Sequence, residues 1–177
     1  MSAVDPDIKN PRWHRNREFK SDSFLLQRVQ PALSGLMDGA LSTLAPIFAV
    51  VLATHHPLTA FYTGLATALG AGVSMAFSEG LSDTGELTGR GSPVLRGAIT
   101  GGGTFSGGVF HTLPFLIPTY QTAIAAAILV VAAELVLLGW LRHRFFNTSF
   151  VRSFVSVTVG GAIIASLSAA LGVLAAG

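Results

Sequence analysis

The run Leu33-Ser34-Gly35-Leu36-Met37-Asp38-Gly39-Ala40-Leu41-Ser42-Thr43-Leu44-Ala45-Pro46-Ile47-Phe48-Ala49-Val50-Val51-Leu52-Ala53-Thr54 decides the fold. Asp38 is its one charged residue; the rest are apolar, small or hydroxylic. At about 1.5 Å per helical residue, roughly 20 such residues cross the ~30 Å hydrocarbon core of a bilayer. Four more stretches pass the same test: Pro57 to Glu79, Val94 to Ile117, Thr119 to Leu141 and Phe150 to Ala176. The expected fold is an all-α integral membrane protein of five transmembrane helices.

Composition agrees with that reading. Half of the 177 residues are hydrophobic and only 11% are charged, against about 25% charged in ordinary soluble domains. The mean hydropathy is +0.59. The 20 glycines suit spanning helices, which associate through close packing of small residues because lipid supplies no hydrophobic drive. With no cysteine, disulfides, thiolate zinc sites and Cys nucleophiles are excluded. There is no Ser/His/Asp arrangement, H-E-x-x-H or Walker pattern, so an enzyme is not expected. Residues 1–22 lack an apolar signal-peptide core, and the first spanning helix is expected to direct insertion.

The organisation expected is a flexible basic tail over 1–22 followed by one transmembrane domain over 23–177. Ser23 to Gln30 reads as an amphipathic extension of the first helix. The breaks at His55-His56-Pro57 and Pro118 are short, which makes helices one and two, and three and four, antiparallel hairpins. The loop over 82–93 is polar and too short for a domain. An N-terminus in the cytoplasm puts all eleven Lys and Arg residues on the cytoplasmic side, as the positive-inside rule requires. The basic residues are thus membrane flanks, with no nucleic-acid partner implied, and the expected location is the cell inner membrane, multi-pass.

Three carboxylates stand in or at the edge of spans: Asp38, Glu79 and Glu134. An ionised group at the centre of a spanning helix costs about 2.5–3.5 kcal/mol on insertion scales, so such residues are usually functional or paired. All three are expected in the cytoplasmic half, where like charges at similar depth would have to share protons or a cation. Asp38, Ser42 and Pro46 share one helix face. Pro46 has no N–H, so the Ser42 carbonyl is free for an ion or water. Met75 lies one turn before Glu79, and a thioether beside a carboxylate suits Fe²⁺ or Mn²⁺ better than Mg²⁺. As the less favoured alternatives, Glu79 fits an interfacial residue with its head in water, Asp38 a structural pair, and Glu134 a protonated carboxyl bonded to a neighbour's hydroxyl. Met75 also fits plain packing. His111, near the outer end of helix three, fits either an exit relay or a packed neutral histidine.

Several of these stretches resemble the vacuolar iron transporter-like family. Met37 to Pro46 looks like the Asp-Gly motif of its first helix, and Gly70 to Glu79 resembles its Met- and Glu-bearing second helix. Gly89 to Gly97 and His111 to Phe115 are similar to the bacterial branch, in which such a domain follows a membrane-bound ferritin. The resemblance covers Leu33 to the C-terminus. It implies five helices, a homodimer, and export of Fe²⁺ or Mn²⁺ from the cytoplasm in exchange for protons; five spans being few for a gated pathway in one protomer, the ion path is expected near the dimer interface. It places metal on Asp38, Met75 and Glu79; from the residues themselves, Asp38, Glu79 and Glu134 are expected to couple protons, with Ser42 and His111 as possible relays. The metal is substrate; no resident cofactor is expected. A short tail is expected in place of the ferritin-like domain, and the connection over 82–93 holds only Asp83 and Glu86 in place of the Glu-rich insertion of eukaryotic members, so cytosolic capture is expected to be reduced or left to a separate ferritin-like protein. The other class of function open to this chain is a membrane metal sensor or scaffold that binds ions without moving them.

Overall fold

A computed structural model describes residues 23–86, 88–146 and 148–176; the basic tail over 1–22 lies outside the described residues. The described residues form a bundle of five α-helices: α1 Gln30–Thr54, α2 Pro57–Gly80, α3 Pro93–Thr112, α4 Tyr120–Phe146 and α5 Phe150–Ala176. A π-helical turn, Leu25–Val29, leads into α1, so the helical rod begins at the level of the expected amphipathic extension. Four of the rods are long and apolar enough to cross a membrane: Leu25–Thr54, Pro57–Gly80, Tyr120–Phe146 and Phe150–Ala175.

The third helix is the one that departs from the expected set. It was expected to run to Ile117 as an apolar span, but its α-helical part stops at Thr112 and passes into a 3-10 turn, Leu113–Leu116. Pro114 explains the stop, because its ring and missing N–H break the pattern that an α-helix needs. Six glycines, three threonines and Arg96 also leave α3 less apolar than its neighbours. It tolerates this because it is the inner element, packed along both α1 and α2.

Glycine makes that packing possible. A Cβ on Gly39 would stand 1.9 Å from the Thr104 carbonyl oxygen, and one on Gly35 would stand 2.1 Å from that of Thr100. On the other side, Gly101 meets the Gly72 carbonyl and Gly97 that of Ala76, each closer than a side chain permits. Backbone against backbone gives dense dispersion contact where burial of apolar surface counts for little. α5 runs alongside α1 in the same direction: Gly161 lies against Leu41 and Gly172 against Ala49 and Leu52.

The helix ends are set locally. His55 adopts the left-handed conformation (φ 56°) and its N–H donates to the Val51 carbonyl at 2.9 Å, closing α1 before Pro57 opens α2. The His55 ring also packs at a tilt against Tyr120, at 4.6 Å between ring centroids, joining the two expected hairpin turns at one end of the bundle. At the other end, the Gln27 side chain donates to the Gly89 carbonyl at 3.1 Å, and Arg142 lies beside Met37. Every Lys or Arg among the described residues belongs to this second end. Large apolar side chains such as Val73, Phe77, Leu129, Val159 and Leu171 point outward and are more than half exposed, a surface suited to lipid.

Candidate ion-handling site

Asp38 sits two turns into α1 and lines a cavity of about 400 Å³ with Gln30, Leu33, Ser34, Met37, Leu41, Arg142 and Phe146. The flanking Gly39 is committed to α3, which turns Asp38 toward the inner part of α4. Among the described residues Asp38 has no ion pair. Arg142 shares the cavity, yet its Nη1 donates to the Met37 sulfur at 3.8 Å and its Nε is buried without a partner. A carboxylate and a guanidinium thus face one space without closing on each other.

Glu79 is placed quite differently. Its Oε1 takes Arg90 Nη2 at 2.6 Å and Arg96 Nε at 2.8 Å. Asp83 completes the group, bonding Arg90 Nη1 at 3.1 Å and Arg96 Nη2 at 3.2 Å. Arg96 is fully buried and also donates to the Gly91 carbonyl and the Ser82 hydroxyl. The sequence folds this way because α3 starts at Ser92, whose hydroxyl accepts from Leu95 N–H, and Pro93 presets the first turn. The loop reverses on Gly85, Gly89 and Gly91, all at positive φ, where a Cβ on Gly85 would strike the Gly91 carbonyl. Partial desolvation disfavours the Asp83 anion, but the Arg96 charge, the Gly85 N–H and Arg90 outweigh it and hold its carboxyl below the usual range. This is a clasp at the arginine-rich end. Met75 lies one turn before Glu79, half-buried, and neither residue lines the Asp38 cavity.

Glu134 belongs to a third place. Because α4 continues to Phe146 and not only to Leu141, Glu134 lies near the middle of its helix, deeper than two turns from the inner end. Its Oε2 approaches His111 Nδ1 to 2.6 Å, and both groups are largely buried. The angles at these atoms fall outside hydrogen-bond geometry, so this is a close approach of two ionisable groups without an aligned bond. A mostly apolar cavity of about 250 Å³, lined by Leu36, Phe110, Val130 and Leu138 among others, adjoins Glu134. The sequence treated these two residues separately; their pairing brings α3 and α4 together.

The expected convergence of three carboxylates is therefore not found. Glu79 is paired with two arginines, Glu134 lies against His111, and Asp38 faces a cavity; the described residues contain no group of three His, Cys, Asp or Glu side chains disposed to hold a metal ion. The Ser42 hydroxyl is buried with no partner on the same α1 face as Asp38. Sequence position marks Arg90, Arg96 and Arg142 only as membrane flanks; the structure makes the first two partners of Glu79 and sets the third beside Met37. Arg96 carries a weak signal, because it falls within the first turn of the expected third span, Val94 to Ile117.

Fold and site together define an all-α helical bundle with four helices fit to cross a membrane and ionisable groups held in its interior. No protein-family model, curated protein or solved structure matches this chain.

Proposed function

We propose that the protein is a multi-pass inner-membrane transporter that exports a divalent metal cation, Fe²⁺ or Mn²⁺, from the cytoplasm in exchange for protons. The observation that carries the reading is Asp38. It is a carboxylate within a spanning-length helix, it faces a cavity, and it has no ion pair among the described residues. Holding such a group costs about 2.5–3.5 kcal/mol on insertion scales, a cost relieved when a cation or proton neutralises it. The topology taken is five membrane helices with the arginine-rich end cytoplasmic, which puts the Asp38 cavity at the cytoplasmic side.

The other residues take roles weighted by their surroundings. Metal capture by Glu79 and Met75 requires the release of Arg90 and Arg96, so Asp38 leads and the Glu79 clasp follows. Glu134 and His111 form an interior acid–base pair suited to passing protons. The homodimer is retained, and Ala66, Gly70, Ser74 and Ser78 support it. They form an outward-facing run at four-residue spacing, the pattern that lets spanning helices approach closely.

The test is Mn²⁺ uptake by purified protein in liposomes, with internal pH followed. Wild type should move Mn²⁺ against a proton flux, and Asp38→Ala should abolish it. Undiminished flux in Asp38→Ala would remove the site assignment. Binding of Mn²⁺ without any flux would favour the sensor reading.

A further inference from the structure

Four polar side chains stand on one face of α1 at four-residue intervals: Gln30, Ser34, Asp38 and Ser42. Each four-residue step advances about 6 Å, so the rungs cover roughly 18 Å, more than half of a ~30 Å hydrocarbon core. The first three line the same cavity. Gln30 Oε1 and Ser42 Oγ are buried with no hydrogen-bond partner. The Ser42 carbonyl also lacks its helical partner, since Pro46 is inside the helix. On α5, Thr158 Oγ1 is buried and unpartnered as well. With Gly161 beside Leu41 and the helices parallel, Thr158 stands near the level of Asp38. Buried polar atoms are nearly always paired, so oxygens left unpaired along one track call for a ligand.

The cavity also holds a cation of its own. Arg142 has a buried, unpartnered Nε and a weak thioether contact through Nη1, and no carboxylate within ion-pair distance among the described residues. Opposite charges lining one partly dry space attract, and here the guanidinium stops on the Met37 sulfur, short of ion-pair distance from Asp38.

We infer that Arg142 is a tethered counter-cation competing with the transported ion for Asp38. This rests on the reading of Asp38 as the cation site and extends it. When Arg142 swings away, the ion gains the Asp38 carboxylate, the Gln30 amide oxygen and the Ser34 hydroxyl. It also gains the Met37 thioether, which the guanidinium had capped. Oxygen donors with one thioether favour a borderline divalent ion over Mg²⁺. Ser42, with a free hydroxyl and a free carbonyl, is the next rung outward. Arg142 thereby sets how much free metal is needed before the site loads, and so keeps it closed to weakly bound cations.

The experiment is Mn²⁺ binding by full-length protein in lipid nanodiscs, comparing wild type, Asp38→Asn, Arg142→Gln, Arg142→Met and Arg142→Lys. Removing the charge at 142 should tighten Mn²⁺ binding about tenfold, the factor expected if the Arg-filled state outweighs the open one about ten to one. Arg142→Lys should stay near wild type. Equal or weaker Mn²⁺ binding in both charge-removing variants, with binding still lost in Asp38→Asn, overturns the role of Arg142 alone. Equal binding in wild type and Asp38→Asn overturns the cation site itself. Should the charge-removing variants not fold, the Arg142 side-chain nitrogen resonance in wild type supplies the readout. It should shift on titration with diamagnetic Zn²⁺, and a resonance that saturating Zn²⁺ leaves in place overturns the inference.

Discussion

Gly39→Ala tests the packing on which the bundle depends. The added methyl would lie 1.9 Å from the Thr104 carbonyl oxygen, 2.7 Å from its carbon and 2.9 Å from Gly108 N. All three are backbone atoms, so no rotamer can make room. Ordinary contact begins near 3.4 Å, and α1 and α3 would have to part by about 1.5 Å over this stretch. Overpacking of this kind costs about 1–3 kcal/mol, and the loss of neighbouring glycine contacts pushes toward the upper end. Gly102→Ala, on the outer side of the same inner helix, is the control, because nothing lies within 4 Å of its added methyl. There the better helix propensity of alanine should contribute up to about 1 kcal/mol of stabilisation. The two variants should differ by about 2–4 kcal/mol in a reversible unfolding titration with SDS in mixed micelles. Equal midpoints for Gly39→Ala and Gly102→Ala would refute the close helix approach.

The clasp should be visible in the same assay. Glu79→Ala strands the fully buried Arg96 with only Asp83 for a counter-charge and should cost about 3 kcal/mol, the lower end for a broken buried pair. Asp83, held below the usual carboxylate range, adds stability that is complete above its unfolded pKa and is lost as pH falls through the lower folded one. An acid titration of wild type should therefore show a loss of stability in that window that Asp83→Asn lacks. Ser92→Ala removes a cap bond that is already long at 3.5 Å, so it should cost only about 0.5 kcal/mol, the low end for caps.

Much of the fold was legible because a single physical quantity, apolar length, specifies a spanning helix. It located the starts of α2 and α5 at Pro57 and Phe150, and proline geometry marked the breaks. It failed where a helix is bounded by something else. α4 continues through Arg142, His143 and Arg144 because helical hydrogen bonds extend past the apolar stretch, and hydropathy reports only the latter. α3 is an inner helix whose glycines and threonines serve its neighbours, so its composition carries little of the lipid signal. The partners of the carboxylates were illegible for a simpler reason. Glu79 and Arg96 are 17 residues apart and Met37 and Arg142 are 105 apart, and no local periodicity encodes such pairs.

The three carboxylates differ in what neutralises them, and that difference sorts their roles. Glu79 is shared by two guanidiniums, one fully buried, so any metal there must displace two fixed charges. Glu134 has one histidine, His111, whose Nδ1 lies 2.6 Å from its Oε2. Asp38 has only a cavity and an arginine that has not closed on it. On the proposed function, the doubly paired Glu79 would chiefly stabilise structure, Glu134 would pass protons with His111, and the open Asp38 would exchange ions. The same logic ranks the expected effects on flux. Asp38→Ala should abolish Mn²⁺ transport with the fold intact. Glu79→Ala should lower it chiefly through lost stability, so that transport per folded molecule stays near wild type and total transport recovers when lower temperature restores the fold. Transport abolished in Glu79→Ala at full foldedness would move the ion site to the clasp and reverse this assignment.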